Sequence, residues 1–333
     1  MKADGVYIYS IIVDCPNPLL PMYSQDLLFL RENSNLKWLQ MYENLRFCTP
    51  RTKDDGASFS SIEDFLANPP KGFDIKLDYK YKIEEHKSNH NIGEYYKNIY
   101  RPVISYKLQN LHQIIDDIPL PNYNDDISVW GEYKNEYFSH IRQLELILDE
   151  LKSVFRVAEP THDNLNTYGN TIRSIIMLSC TEIDSMMKKI LKNNGILLDD
   201  KAYTTKHYYK LKEALRLGEY ELRLREFENL GSFSPFSDWE YDKPTKSLVW
   251  YDAYNKIKHD REANFHYANV KNALISIAAY AVLLIAQYGH YNSVWEEHLK
   301  KYFSIHKEPR WKLEDFYVPY IIELSPQNYP FKK

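Results

Sequence analysis

From Val6 to Val13 the chain is apolar but for Ser10, and its β-branched and aromatic residues suit the pleated, buried surface of a strand. The Asp14-Cys15-Pro16 that follows is unlike the small neutral residues of a secretory cleavage site, so the pattern predicts a first strand rather than a signal sequence. From Ile75 to Glu84 apolar and charged residues alternate, which turns successive side chains toward core and water and predicts another strand, with Pro69-Pro70 and Gly72 punctuating its start. Leu27 to Tyr42 reads as helical and Pro102 to Leu111 as a further strand. Around Pro119-Leu120-Pro121-Asn122-Tyr123-Asn124-Asp125-Asp126 the composition turns to proline and polar residues, which marks a linker.

Beyond that linker the hydrophobic period becomes helical. Tyr137, Ile141, Leu144, Leu148, Leu151 and Phe155 recur on one helix face until Pro160, and Ile172, Ile175, Ile176, Ser179, Ile183, Met186, Met187 and Ile190 define a second helix with Asn193-Asn194-Gly195 as its C-terminal cap. Tyr208 to Leu230 supplies shorter helices, Gly231 to Pro244 an ordered loop rich in Ser, Pro and aromatic residues, and Trp250 to Ile257 the start of another helix. Val270 to Tyr288 closes a helical bundle. Its uncharged stretch, Ala273 to Ala286, is shorter than the roughly 20 residues of a membrane span and is interrupted by Gln287, Gly289 and His290, so it is expected as a buried bundle helix with no membrane partner. Trp295, Trp311, Phe316, Tyr317 and Tyr320 give the tail enough apolar surface to pack. The expected architecture is α+β: a β-rich domain over residues 1–125, a bundle of four or more helices over 131–290, and a packed tail over 291–333.

Composition removes several function classes. A length of 333 residues suits two domains, and a net charge of -4 gives no whole-molecule attraction to nucleic acid, so any polyanion must meet a local basic patch. Cys15, Cys48 and Cys180 form no CxxC pair, which argues against a disulfide framework or zinc knuckle and fits a reducing cytoplasm. Ten glycines without GxGxxG or GxxxxGK argue against nucleotide-binding loops. His86 and His90, near Glu84 and Glu85, have ligand-like spacing, but Lys87-Ser88-Asn89 read as a polar loop with no third ligand, so neither metal nor cofactor is expected. The 29 tyrosines can stack on bases, although such rings more commonly form half-buried faces of strands and helices. There is no internal repeat and no low-complexity tract.

Candidate chemistry concentrates in Trp250-Tyr251-Asp252-Ala253-Tyr254-Asn255-Lys256-Ile257-Lys258-His259-Asp260-Arg261, where one histidine sits among three cations and an amide. A histidine so placed can move protons at neutral pH while the cations Lys256, Lys258 and Arg261 hold a phosphate, the requirement of metal-free phosphodiester cleavage. On a helix Asn255 and His259 share a face, as do Lys258 and Arg261. Glu182 falls on the apolar stripe of its helix, where a carboxylate would orient His259 or pair with Arg261 or Arg173. The plainer alternative for His259 is a solvated or capping group at a helix end.

The order of a long helix, Tyr168-Gly169-Asn170-Thr171-Ile172-Arg173 opening a helix that contains Glu182, a loop, and Tyr254-Asn255-Lys256-Ile257-Lys258-His259 leading into an alanine-rich helix resembles the HEPN superfamily over roughly residues 135 to 289. That family consists of helical bundles, many of them RNases of toxin, abortive-infection and CRISPR systems, with a signature of Arg, a polar residue that is often Asn, three variable residues and His. The resemblance implies that Asn255 fills the polar position and His259 the histidine, whereas Tyr254 stands where the family has its phosphate-holding arginine. It also implies a homodimer through the bundle, because one chain supplies a single such histidine.

Two readings follow. The first is a metal-independent endoribonuclease of single-stranded or loop RNA, acting in antiviral defence, abortive infection or a toxin system, with the N-terminal domain sensing a trigger or restraining activity. The alternative is a non-catalytic module that binds RNA, a nucleotide or a partner protein through the same basic surface. A structural dimerisation module would leave the His259 cluster solvated and unpaired.

Overall fold

Strand β1, Gly5–Val13, is buried on both faces, which is why its sequence is almost continuously apolar: Tyr7, Tyr9, Ile11 and Val13 point one way, Val6 and Ile8 the other. It lies inside an antiparallel sheet of order β4-β3-β2-β1-β5, with β2 at Tyr23–Glu32, β3 at Asn35–Asn44, β4 at Thr49–Phe59 and β5 at Tyr81–Lys87. These elements belong to a computed structural model that describes residues 2–13, 23–44, 49–71, 73, 80–104, 134–198, 203–290, 298–319 and 327–328. The chain divides into two compact units: Met1–Tyr95, Arg101–Gly131 and Trp311–Tyr329 form unit 1, and Tyr96–Tyr100, Glu132–Arg310 and Pro330–Lys333 form unit 2. Strands dominate the N-terminal part and helices the C-terminal half, so the fold class is α+β.

In unit 1 the helix α1, Ile62–Ala67, begins at Ser61, whose hydroxyl accepts from the Asp64 amide at 3.2 Å. That cap fixes the helix across one sheet face and drives Phe65 among Phe29, Phe59 and Phe73, with ring centroids 5.0, 5.0 and 4.7 Å away and near-perpendicular planes. On the other face Val6, Ile8, Leu28 and Leu39 are covered by Ile104, Phe316 and Val318. The strand β6, Glu94–Tyr95, pairs in parallel with β10, Gln327–Asn328.

Leu27 to Tyr42 is not a helix but the hairpin of β2 and β3. Its two-residue turn, Asn33-Ser34, takes left-handed φ values of 49° and 71°, the geometry that matches the twist of a tight hairpin. Leu27 and Phe29 feed one core and Leu28 the other, so the two-residue alternation vanished from the sequence. For the strand read at Ile75 to Glu84, residues 74–79 lie outside the described residues, and β5 continues to Lys87. His86 is therefore in an edge strand rather than a loop, with Nδ1 2.8 Å from Glu314. In the strand read at Pro102 to Leu111, Val103 makes a single bridge to Tyr317 and residues 105–111 lie outside the described residues, as do the linker at Pro119 to Asp126, Trp295, Tyr320, Cys15 and Cys48.

Unit 2 is built on α8, Val270–Tyr288, in which every residue except Lys271 and Ile275 is buried. It is long and apolar enough to cross a membrane, yet 89% of the qualifying window is packed inside unit 2. Against it lie α2, Lys134–Phe155, α3, Asn170–Asn193, and α6, Val249–His259. The Tyr280 hydroxyl donates to the carbonyl of His140 on α2 at 3.0 Å, and Tyr288 stacks on Tyr137 at 4.4 Å. The end of α3 is held by the buried Asn194 amide, which accepts from the Lys97 amide at 3.0 Å and donates to the Lys97 and Ile190 carbonyls at 2.7 and 2.8 Å. Gly195 follows with φ 79°.

The stretch Tyr208 to Leu230 holds short helical segments, as expected of it, and also a strand that was not expected. Helix α4, Thr205–Tyr208, and α5, Lys210–Ala214, are short, and Glu221–Leu224 is strand β7, flanked by β8, Ser232–Phe233, and β9, Phe303–Lys307. The partner β9 lies about 80 residues further along the chain, too distant for local periodicity to reveal. The loop over Gly231 to Pro244 is ordered by two buried indoles: Trp239 donates to the Pro244 carbonyl at 2.8 Å and Trp250 to that of Pro235 at 2.9 Å.

The ring cluster of unit 1 has a measurable weight. Phe65 is fully buried, so Phe65→Ala should destabilise unit 1 by about 3–5 kcal/mol, the usual cost of removing a core phenylalanine. Chemical denaturation followed by far-ultraviolet circular dichroism checks it, and a loss below about 1 kcal/mol would contradict the packing described.

Candidate functional site

Helix α6 presents two faces. Trp250, Tyr251, Ala253, Tyr254 and Ile257 are buried, while Asp252, Asn255, Lys256, Lys258 and His259 reach or approach water. The helix stops at Asp260, whose carboxylate accepts from the Ala263 amide at 3.2 Å and so caps the next turn, α7, Arg261–Asn264. This cap turns the chain directly after His259 and leaves the imidazole on the last turn of α6.

Two contacts fix the direction of α6 against α3. At one end the Tyr251 hydroxyl donates to Asp184 at 2.7 Å; at the other the Arg261 guanidinium reaches the Asn170 side-chain oxygen at 3.4 Å. The helices therefore run antiparallel, and the end carrying Lys258 and His259 approaches the first turn of α3, which carries no side-chain cap of its own.

His259 is exposed, and among the described residues its side chain has no hydrogen bond or ion pair; Asn255, one turn earlier and half-buried, likewise has none. The three cations differ. Lys256 is committed to Asp252 at 2.8 Å and lies 4.2 Å over the Tyr267 ring, and the hydrogen bond to Asp252 raises its pKa. Lys258 donates to the Tyr254 hydroxyl at 3.1 Å, which raises its pKa, and Arg261 lies 5.1 Å over Phe265. Lys258 and Arg261 nonetheless remain exposed and meet no carboxylate in an ion pair among the described residues. Helix geometry thus gathers Asn255, Lys258 and His259 at one end of α6 with Arg261 at the start of α7, and among the described residues no hydrogen bond joins their side chains.

Glu182 and Arg173 stand apart from this group. Glu182 turns toward α2, 3.8 Å from His140, so it neither orients His259 nor pairs with Arg261. Arg173, half-buried one turn into α3, leaves its Nε buried without a hydrogen-bond partner, and it lies about 13 Å along the helix from Glu182. Tyr254 is a core residue, 3% exposed, its ring 5.4 Å from that of Tyr251.

The carboxylate that does face α6 is Asp184, which sequence reasoning passed over. Burial holds its carboxyl above the usual range, opposed by the Tyr251 hydroxyl and the Lys258 charge. Burial, with Asp184 nearby, likewise raises the Tyr251 and Tyr208 hydroxyls and the fully buried thiol of Cys180. Its spacing from Ile176 and Cys180 put Asp184 on the apolar stripe of α3, a signal as good as that of Glu182; the deciding partner, Tyr251, was not visible from α3 alone.

Two outcomes test this arrangement. A carboxyl whose folded pKa exceeds its unfolded one binds its proton more tightly in the native state, so its contribution to stability declines as pH rises through that window. Asp184→Asn should therefore gain thermal stability relative to the unaltered protein as pH rises above about 4, the ordinary carboxylate value, and a melting difference independent of pH would contradict the assignment. Tyr254→Arg forces a cation into the core beneath the exposed Lys258 and should cost about 2–4 kcal/mol in denaturant titration.

Comparison of the chain with protein families, curated proteins and solved structures finds no match, so the chemistry of this site is argued from its own residues.

Proposed function

We propose that unit 2 is a HEPN-like, metal-independent endoribonuclease of single-stranded or loop RNA, working in the cytoplasm in antiviral defence, abortive infection or a toxin system. The observation that carries this reading is the exposed, internally unpartnered imidazole of His259 with Lys258 and Arg261 beside it. A histidine serving only as a cap or core group would have a partner within the chain, whereas the solvated histidine of a structural dimerisation module would not, and the cleavage test below separates that reading from this one. In the proposed reaction a ribose 2′-hydroxyl attacks the adjacent phosphorus, His259 takes its proton, and the bond to the 5′-oxygen breaks, leaving a 2′,3′-cyclic phosphate. Lys258 and Arg261 neutralise the charge that builds on the phosphorane oxygens, and Asn255 donates to one of them. The proton for the leaving oxygen comes from His259 of a second copy, which makes the active species a homodimer with its two-fold axis near the ends of both α6 helices.

Tyr254 fits this scheme indirectly. Its hydroxyl holds the Lys258 ammonium one turn along the helix, so a cation is retained near the position that the family's arginine would occupy. The same burial of Tyr254 favours the second reading, a module that binds RNA without cutting it.

His259→Ala should lower cleavage of a broad RNA panel by at least ~10²-fold, the scale of a general acid or base, without shifting the melting temperature, since the exposed side chain makes no hydrogen bond or ion pair among the described residues. Cleavage should persist in EDTA, leave 2′,3′-cyclic phosphate ends, and coincide with a dimer in sedimentation at tens of micromolar, on the order expected of a stable interface. Equal behaviour of the unaltered and His259→Ala proteins would remove the nuclease reading and leave the binding module.

A further inference from the structure

The net charge of -4 hides a local excess of the opposite sign: from Ser185 to Lys212 the sequence has seven lysines and two aspartates. In unit 2 the described residues of this segment include the far end of α3 together with α4 and α5. Lys188 and Lys192, one turn apart on α3 and both exposed, lie 5.8 and 5.9 Å over the ring of Tyr203. On α4 the exposed Lys206 lies 5.0 Å over Tyr241, itself 52% exposed and edge-on to Tyr209 at 5.5 Å. Among the described residues Lys188, Lys192 and Lys206 enter no ion pair, unlike Lys189, which bonds Glu136.

The lysines of this array keep their ammonium protons available, and the 52% exposed Tyr241 offers a ring to solvent. A cation–π contact at an exposed site is weak, on the order of 0.5–1 kcal/mol, and leaves the ammonium protons free for a phosphate oxygen. The Tyr203 hydroxyl donates to the Ile196 carbonyl at 2.8 Å, which holds the half-buried ring beneath Lys188 and Lys192. Aromatic rings beside lysines that enter no ion pair among the described residues are what an unpaired strand of nucleic acid requires: stacking for bases of any identity and point charges for its phosphates. A duplex hides its base faces and would gain nothing from the tyrosines.

We propose that Lys188, Lys192, Tyr203, Lys206 and Tyr241 form a binding surface for single-stranded RNA, separate from the His259 cluster. The choice of RNA over single-stranded DNA rests on the ribonuclease reading above; the chemistry of stacking and phosphate contact does not. From Asn170, which Arg261 touches, to Lys188 is about 27 Å along α3. A strand held at both ends would thus lie along α3 beside α6, and this surface would make cleavage depend on RNA length, because a dinucleotide cannot span the distance.

The test uses fluorescence anisotropy of an end-labelled single-stranded oligoribonucleotide with full-length His259→Ala protein, so that the probe stays intact. Binding should weaken at least ~10-fold in Lys188→Glu/Lys192→Glu/Lys206→Glu, with a shallower dependence on salt as about three phosphate contacts are lost. Lys188→Gln/Lys192→Gln/Lys206→Gln should fall between, and Tyr203→Ala/Tyr241→Ala should lose affinity with the salt slope unchanged. Circular dichroism verifies that each variant is folded. Unchanged binding in the lysine variants overturns the proposal, as does tight binding to anionic phosphatidylserine vesicles in place of the oligonucleotide, which would make the surface a membrane contact. Competition with DNA of the same sequence decides the sugar preference. If the lysine variants lose binding while the protein never cleaves RNA, this surface stands and the nuclease reading falls; if the protein cleaves and the lysine variants bind and cleave normally, the reverse holds.

Discussion

A helix that is apolar around its whole circumference has to be enclosed, and in unit 2 that requirement organises everything else. Helix α8 exposes only Lys271 and partly Ile275, so α2, α3 and α6 are each committed to covering one side of it. Its alanines at 273, 278, 279, 281 and 286 let those neighbours come close, and the Tyr280 hydroxyl is satisfied by a backbone carbonyl of α2. Each surrounding helix therefore has an inner face decided by α8 and an outer face free for other work.

For α6 this division separates chemistry from packing within a few residues. Tyr251 and Tyr254 belong to the inner face, where Tyr251 meets Asp184, while Asn255, Lys258 and His259 belong to the outer one. Lys258 bridges the two, its stem lying along the Tyr254 ring and its ammonium at the phenol oxygen. The cationic end of α6 is thus held by the polar seam beneath it, and its rotation cannot change without breaking the Tyr251–Asp184 hydrogen bond.

Legibility in the sequence followed the range of the interactions. Helices α2, α3 and α8 were visible because one-sided or complete burial writes itself into the spacing of apolar residues, and β1 because its run is β-branched and aromatic. The β2–β3 hairpin was misread because both of its faces are buried, which erases alternation, and because Asn33-Ser34 is a weaker turn signal than Asn-Gly. Strand β7 was missed because its pairing with β9 is distant in sequence. At the candidate site the grouping of Asn255, Lys258 and His259 needed only helix geometry. The exchange of Glu182 for Asp184 needed knowledge of which flank of α3 faces α6, a fact set by packing around α8 and by no local pattern.

Cys180 lies beneath this seam with no exposed surface, and burial together with the neighbouring carboxylate keeps its thiol protonated. While α3 and α6 stay together, peroxide and alkylating reagents have no access to it, and the protonated sulfur is a poor nucleophile even toward small ones. Its reaction is then timed by the opening of the helices and not by the strength of the reagent. The cysteine is in effect a built-in clock for the breathing of the bundle, read out by mass spectrometry as the slow modification of the peptide that contains Cys180.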